Sequence, residues 1–272
     1  MSPQRLVCAL LLSRLLVAPA AAQPLDPIDG RFVAFEVLKP NADDEFTTGL
    51  SSAWKFTAGL PLEGGGTLEL EVPFAYAALD RAEFEDDGSF AIGNPALRIR
   101  SHSSGGGLHT DLTVRPPVAD ADEPVAVLQG LRAAAVDEPE RFVVDYVTAT
   151  IGSGGSLTLA REGLALFGRI EGSLWIDTGE RDDRTEVFLR PTLGFAFHGE
   201  SVTARLAARA DHQLTASGDV DFADATVQEA FVEVELRAGR FRPGLMASMS
   251  LDEDLDVLAR TVFGLRLTVR LD

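Results

Sequence analysis

The sequence predicts an all-β protein, a transmembrane antiparallel up-and-down β-barrel of about 12 strands. Two observations predict it: apolar and polar residues alternate with period two along many segments, and the connections between those segments alternate between short and long. The 272 residues have a formal net charge of −18 but a mean hydropathy of +0.08. The charged residues must therefore be segregated from the apolar ones, as they are in strands with one apolar and one charged face.

Residues 1–22 have the layout of a secretory signal peptide. Arg5 begins a short basic region, an apolar run follows, and Ala22 precedes the expected cleavage site. The only cysteine, Cys8, lies in this segment, so we expect no disulfide in residues 23–272, which would form the barrel. No later run of about twenty apolar residues predicts a transmembrane helix.

After residue 30, about twelve extended segments are recognised by period-two alternation between turn residues. In the third, GTLELEVPFAY, the residues Leu68, Leu70 and Val72 share one face, and Glu69 and Glu71 lie on the other. The segments lie near 31–39, 51–61, 66–79, 93–102, 107–117, between 142 and 161, and near 163–176, 185–197, 201–213, 226–236, 239–250 and 260–271.

The connections fall into two classes that strictly alternate. One class is short (LEGGG, SSGGG, REG, HGE, RAG), and the other is long and acidic (NADDEF, DRAEFEDDG, residues 118–147, DTGERDD, SGDVDFAD, LDEDLD). Tight periplasmic turns and longer extracellular loops are typical of bacterial outer-membrane barrels. A soluble β-sandwich with acidic hairpin loops is the alternative, but it has no reason to sort its connections in this way.

The long connection 118–147 has a composition of its own. EPVAVLQGLRAAAV predicts a short helix in a long extracellular loop, and PERFVVDYV is either a second helix or the start of strand six. Either 142–151 or 148–161 could form that strand, and an even strand number allows only one strand here. We expect the helix to rest on the rim of the barrel; a helical lid or plug outside the barrel is the alternative.

The two faces of the strands predict different surroundings. Rows such as Trp54, Phe56 and Leu60, or Phe263 to Leu271 at every second position, have almost no charge, as a lipid-facing surface requires. The opposite faces contain acidic and basic residues at matching heights on adjacent strands, where they attract one another. The candidate lumen or constriction residues are Glu69, Glu71, Arg98, Arg100, Arg205, Arg209, Glu233, Glu235, Arg240, Arg242 and Arg266.

A belt of such pairs has two possible roles. It could fill and stabilise the interior of a narrow barrel, or it could form a constriction that selects solutes by charge and size. Both roles are compatible with the sequence.

Composition and motifs argue against several function classes. Without Arg5 and Arg14 of the signal segment, 22 basic residues face 42 acidic ones, which excludes an electrostatic nucleic-acid binder. The stretch SHSSGGG, with His102, is similar to the His-x-Ser of outer-membrane phospholipases and lipid A deacylases. The Asn-Gly that follows in those enzymes is absent, so we expect no catalytic residues and no enzyme.

The sequence also lacks the pattern of a metal site. His212 stands beside Asp211, but no third ligand recurs at metal spacing. The clusters ADDE, EDDG and DEDLD lack the regular ligand spacing of a calcium loop. We therefore expect no metal and no cofactor.

Two hairpins resemble a known family. EVPFAYAALD, an acidic loop and then IGNPALRIR, together with the closing RPGLMASMSLDEDLDVLARTVFGLRLTVRLD, resemble the phenol-degradation meta-pathway (MetA-like) outer-membrane proteins. In such chains Gly93-Asn94 would supply turn conformations after a surface loop, and Pro95 would begin the descending strand. The resemblance implies a bacterial outer-membrane channel for small or aromatic molecules, with no catalytic residues.

One departure concerns the C-terminus. Many outer-membrane barrels end in an aromatic residue that the barrel-assembly machinery uses, whereas this chain ends Leu271-Asp272. We expect the machinery to use the alternating apolar row of the last strand instead.

The sequence thus supports one main hypothesis. The chain would be an outer-membrane barrel in contact with lipid and lipopolysaccharide, and a passive channel or transporter-like protein for small solutes with a charge-paired lumen. The alternative is a closed structural or surface-interaction barrel without transport. An outer-membrane hydrolase is a remote third hypothesis.

Overall fold

A computed structural model describes residues 30–41, 51–78, 88–102, 108–120, 122–134, 138–159, 163–179, 185–216, 225–252 and 260–271. The expected signal peptide and most of each acidic loop except 118–147 lie outside these residues. Within the described residues, no helix has the length and apolarity needed to cross a bilayer.

The described strands follow the predicted segments closely, because period-two alternation marks the strands directly. They are β1 (Arg31–Asn41), β2 (Ser52–Leu62), β3 (Gly66–Ala78), β4 (Gly88–Ile92), β5 (Ala96–His102), β6 (Leu108–Arg115), β7 (Tyr146–Thr158), β8 (Leu164–Asp177), β9 (Thr185–His198), β10 (Val202–Gln213), β11 (Thr226–Leu236), β12 (Phe241–Ser250) and β13 (Thr261–Leu271).

The strands close into a barrel. Neighbours along the chain pair antiparallel, and β1 pairs β13 from Arg31 opposite Leu271 to Asn41 opposite Thr261. Because β4 and β5 both pair with β3, they are two halves of one wall strand, and the described wall has 12 strands. The predicted fold class is confirmed. The pairing of β1 with β13 removes the two open edges that an unclosed sheet would have at its first and last strands, and lipid would not tolerate such edges.

The sixth wall strand is β7, Tyr146–Thr158. It contains most of both candidate segments, 142–151 and 148–161, so neither alone described the strand. The residues before it form a 3-10 turn, Pro139–Arg141.

The wall has an apolar outside and a charged inside. Leu70, Leu193 and Leu265 are each more than half exposed on the outer face, whereas Glu69 and Glu71 on the inner face are buried. This is the reverse of a soluble protein, and it matches the predicted segregation of charge. We call the end with the tight turns, such as residues 63–65, the turn end, and the opposite end the loop end.

The sequence Gly93-Asn94-Pro95 lies inside the fourth wall strand, between β4 and β5. The prediction that a strand begins here after a surface turn is wrong, since β4 begins at Gly88 and neither Gly93 nor Asn94 has a positive φ. The three residues instead form a bulge opposite Val72 and Pro73, and the amide of Gly93 still donates to the carbonyl of Pro73 at 2.9 Å.

Between β6 and β7 the chain folds into the mouth of the barrel, and we call residues 116–145 the plug. It contains the predicted short helix, α1 (Pro124–Ala134). The small residues Ala133 and Ala134 of α1 pack against lumen-facing residues of four wall strands, namely Leu38, Ala53, Ala75 and Val262. The expectation that this helix rests on the rim is therefore wrong. Apart from Gln129, its buried face is made of small and apolar side chains, which fit a narrow lumen.

Candidate functional site: a charged cavity and its plug

A cavity of about 340 Å³ lies in the lumen and reaches the plug at Glu138. Among the described residues, seven acidic and seven basic side chains line it. Three phenylalanines also face it, Phe32, Phe167 and Phe231. The acidic and basic side chains are Glu36, Glu69, Glu71, Glu138, Glu171, Glu233 and Glu235, and Lys55, Arg98, Arg100, Arg169, Arg205, Arg209 and Arg266.

The structure brings most of the candidate residues together. The candidates that line the cavity are Glu69, Glu71, Arg98, Arg100, Arg205, Arg209, Glu233, Glu235 and Arg266. The other two lie at the turn end: Arg242 pairs with Glu235 at 3.6 Å, and Arg240 is exposed in the turn that precedes β12.

Adjacent strands supply one group of ion pairs. Glu69 of β3 lies opposite Arg98 of β5 in the sheet register, and its carboxylate is 3.7 Å from Arg98 and 3.3 Å from Arg100. On the next strand pair, Lys55 lies 2.8 Å from Glu36, a lumen residue that the sequence analysis did not select. Cross-strand neighbours of opposite charge attract strongly where water is restricted.

A second group lies across β10, β11 and β13. Arg205 pairs with Glu233 at 3.0 Å, and Arg266 pairs with Glu233 and, at 3.5 Å, with Glu235. The guanidinium of Arg209 lies over the ring of Phe231, 5.5 Å from its centroid. Glu233 and Glu235 are therefore shared between strands, which fixes their side chains in the wall.

The plug closes one side of the cavity with Glu138. Arg98 Nη2 donates to one carboxylate oxygen at 2.7 Å, Arg115 Nη2 donates to the other, and Arg141 Nη2 lies at 3.5 Å. Burial alone would raise the pKa of Glu138, but the charges of Arg98, Arg141 and Arg115 outweigh it and hold the pKa well below its ordinary value.

A second ion pair holds the plug to another part of the wall, three strands beyond β6. Glu140 pairs with Arg190 of β9 at 2.5 Å, and Arg190 also pairs with Asp211 of β10 at 2.7 Å. Ser173 donates to Glu140 at 2.8 Å, and the indole N–H of Trp175 donates to Ser173 at 3.0 Å. Glu140 and Arg190 are each 2% exposed, so the plug residue and its partner form one buried cluster with the wall.

Asn94 joins the bulge to the plug. Its side-chain amide donates to the carbonyls of Glu140 and Val143 at 2.9 and 2.7 Å, and its Oδ1 accepts from the amides of Val118 and Ala119 at 2.7 and 2.8 Å. The side chain is fully buried, and all four of its hydrogen bonds are to plug backbone. It satisfies polar groups that the irregular plug backbone would otherwise leave unpaired.

Phe142 fixes the plug by shape. It is 1% exposed and lies against two glycines, Gly93 of the bulge and Gly130 of α1. A Cβ atom at Gly93 would stand 2.8 Å from Cε1 of the Phe142 ring and even closer to the carbonyl oxygen of Arg141. The absence of a side chain at Gly93 therefore allows Arg141 and Phe142 of the plug to approach the wall closely.

The missed residues include cavity-lining wall residues such as Glu36 and Lys55, and a second set that belongs to the plug. Glu138, Glu140 and Arg141 lie outside any strand, so no alternating pattern placed them in the lumen. One signal was present: Arg115 stands opposite Thr148 in β7, so it has no acidic cross-strand partner there. An inward-facing arginine without such a partner indicates that a carboxylate arrives from elsewhere.

The described residues do not place the SHSSGGG motif in a site. His102 is the last residue of β5, and the two serines that follow it lie outside the described residues. Within the described part of the chain, no group of three or more His, Cys, Asp or Glu residues is placed to hold a metal ion.

The low pKa of Glu138 leads to a prediction about acid. A carboxylate whose pKa is lowered by folding stabilises the folded form above its unfolded pKa, and this contribution is lost as pH falls through the folded pKa. We expect the plug to stay seated down to about pH 4.3, the ordinary glutamate value, and to loosen only below it. In Trp54→Phe protein, acrylamide quenching of Trp175 measures how far the plug is seated as pH falls.

The matched variant is Glu138→Gln, which should lack the acid transition. If the plug of the Trp54→Phe parent already loosens at pH 5–6, Glu138 is not the group that titrates.

The comparisons with known proteins concern the fold. No protein-family model matches the sequence, and a search of the curated proteins finds no match. Among solved structures, the chain is similar to the COG4313 outer membrane channel from Pseudomonas putida, with 9% identity, a TM-score of 0.58, and coverage of 90% of this chain and 99% of that chain.

Two further likenesses are weaker. The β domain of the Bordetella autotransporter BrkA has 13% identity and a TM-score of 0.49, covering 89% and 99% of the two chains. LpxR from Salmonella typhimurium has 10% identity and a TM-score of 0.48, covering 88% and 100%. The likeness to the COG4313 channel shows a barrel fold of the kind found in a bacterial outer-membrane protein. The likenesses do not confirm the resemblance to the MetA-like family.

Proposed function

We propose that this chain is a passive channel for small polar solutes in the bacterial outer membrane, and that the plug controls the loop end of its lumen. One observation carries the proposal: the closed barrel encloses a cavity of about 340 Å³ whose wall is lined with charged side chains. This volume lies within the range of small-molecule sites, ~300–1,000 Å³. The fold likeness to an outer-membrane channel supports the same function.

The surroundings of the barrel follow from this proposal. The apolar outer face would contact outer-membrane lipid and lipopolysaccharide, and insertion would use the barrel-assembly machinery. The proposal includes no catalytic step.

The charge balance of the cavity bears on selectivity. Each acidic side chain that lines it lies within 4 Å of a basic one, as in the pairs Lys55–Glu36 and Arg169–Glu171. A wall with equal numbers of paired charges presents polar groups to a solute without a strong field of one sign. We therefore propose selection by size and polarity, with weak preference between cations and anions.

The plug meets the wall near the loop end at a pair of side chains that can be cross-linked reversibly. Ser89 of β4 donates to Glu123 of the plug at 2.6 Å near the loop end. Because Cys8 is the only native cysteine, two cysteines placed at 89 and 123 would be the only thiols of a processed chain. A short bifunctional thiol reagent with a reducible bond should join them.

We expect purified Ser89→Cys/Glu123→Cys protein to give discrete openings in planar bilayers. Cross-linking should abolish most of the openings, and reductant should restore them, because the plug must move for solutes to pass. The single variant Ser89→Cys, treated with the same reagent, is the control and should conduct normally. If the reduced protein and the wild type never conduct, the closed-barrel alternative replaces this proposal.

A further inference from the structure

The carboxylate of Glu138 lies in a site made largely of arginine. Arg98 and Arg115 belong to adjacent wall strands and each donates to a different oxygen of this carboxylate, while Arg141 of the plug approaches it at 3.5 Å. Two fixed guanidinium groups that share one carboxylate are a common means of recognising that group.

The donors are held in place without Glu138. Arg115 also donates to the carbonyl of Asn94 at 3.1 Å and to Glu71 at 2.8 Å, and Arg98 donates through Nε to Thr113 at 2.9 Å. Arg115 is 2% exposed, so its side chain has little freedom. A site whose donors are fixed in advance pays a smaller ordering cost on binding.

The charge count of this cluster leaves a need for one anion. Its cations are Lys55, Arg98, Arg100, Arg115 and Arg141, and its carboxylates are Glu36, Glu69, Glu71 and Glu138. Removal of Glu138 leaves five buried or partly buried cations against three carboxylates. Uncompensated buried charge is costly, so a small anion from solution should be drawn into the vacated position.

The position can be reached from the lumen. Arg98 and Glu138 both line the cavity, and the Glu138 side chain is 20% exposed, more than its arginine partners. A carboxylate on a small solute in the cavity could therefore meet the same donors.

We propose that Arg98, Arg115 and Arg141 form a carboxylate-binding site of the lumen, which the plug's own Glu138 occupies here and a small free monocarboxylate can occupy in its place. The side chain of Glu138 is then an internal stand-in for the ligand. As a statement about which solutes pass, this inference rests on the proposed channel function; as a statement about binding, it does not.

Trp175 provides the test. The chain has two tryptophans, and Trp175 is buried beside the plug, with its indole N–H 3.3 Å from Glu140. In Trp54→Phe/Glu138→Ala protein we expect acrylamide to quench Trp175 more strongly than in the Trp54→Phe parent, because the plug loosens. Sodium acetate should restore the parent's quenching with an affinity in the millimolar range expected for so small a ligand. Sodium chloride at equal ionic strength should not.

Two variants separate the site from a general effect. Glu123→Ala removes an exposed plug carboxylate that contacts Ser89, and it should leave the quenching unchanged in both salts. Adding Arg98→Gln to Glu138→Ala should weaken the acetate effect by roughly tenfold or more, as expected for the loss of a charge-assisted hydrogen bond. Heat-modifiable gel migration would show that each barrel is folded.

Calorimetric titration of acetate into Glu138→Ala protein decides the case even if the plug stays seated. Saturable binding that is absent from the wild type and from Arg98→Gln/Glu138→Ala protein supports the site. Equal effects of acetate and chloride, or no saturable binding, would overturn it. None of these measurements uses conductance, so a barrel that binds acetate but never conducts would disprove only the channel function.

Discussion

A Gly93→Val barrel should conduct several times more current than the wild type, because its plug cannot reach its seat in the lumen. The new Cβ would stand 2.8 Å from the ring of Phe142 and closer still to the carbonyl of Arg141, distances that real Cβ atoms essentially never show. The bulge is part of the hydrogen-bonded wall, through the bond from Gly93 to Pro73, so the plug is the part that must move. Valine itself is well suited to a strand, so the barrel should still form.

Single-channel recording and limited proteolysis of residues 116–145 check this expectation together. Gly172→Ala is the matched control, since its Cβ would have 4.0 Å to the nearest heavy atom, a methyl of Ile151. That variant should keep the wild-type conductance and a protected plug. If Gly93→Val protein keeps both as well, the close contact at Phe142 does not hold the plug.

The wall of the barrel could be predicted because lipid and lumen act on every strand in the same way. A segment such as β3 places Leu68, Leu70 and Val72 outside and Glu69 and Glu71 inside. The residue type therefore alternates between apolar and charged along the strand. The pairing of Glu69 with Arg98 followed too, because both lie toward the turn end of adjacent strands, Glu69 near the start of β3 and Arg98 near the end of the fourth wall strand.

The plug could not be predicted in the same way, because its contacts join residues far apart in the chain. Glu138 bonds to Arg98, 40 positions away, and Asn94 bonds to Val143, 49 positions away. No periodic pattern links such residues. Which wall strands the plug residues contact depends on the circumference of the closed barrel. Gly93-Asn94-Pro95 has the composition of a turn, yet tertiary contacts make it a bulge. Gly93 lets the plug approach closely, and the Asn94 amide bonds to the plug backbone.

The charged lumen and the plug depend on one another. Arg115 and Arg190 are buried, and each bonds to one wall carboxylate and one plug carboxylate. The wall therefore presents donors that the plug completes at two places, through Glu138 on the β5–β6 side and Glu140 on the β9 side. A plug held at two separate parts of the wall is fixed more firmly than one held at a single strand pair.

The second large effect should come from Arg190→Met. This change leaves the carboxylates of Glu140 and Asp211 facing each other in a buried position, because both bond to the guanidinium that is removed. Breaking a buried ion pair by removing one partner costs about 3–5 kcal/mol. We expect the free energy of unfolding in urea to fall by about that amount, and quenching of Trp175 to rise because Glu140 loses its wall partner.

Arg242→Met is the control for Arg190→Met. Its partner Glu235 also pairs with Arg266, so no carboxylate is left alone, and the cost should stay below about 1 kcal/mol. If the lost charge balance is the cause, adding Glu140→Gln and Asp211→Asn to Arg190→Met should recover most of the stability, since no like charges then remain in contact. An Arg190→Met barrel that is as stable as the wild type, and whose Trp175 is equally protected from acrylamide, would mean that the buried cluster does not anchor the plug. A stable variant with a freely quenched Trp175 would instead show that the cluster holds the plug but contributes little to the wall.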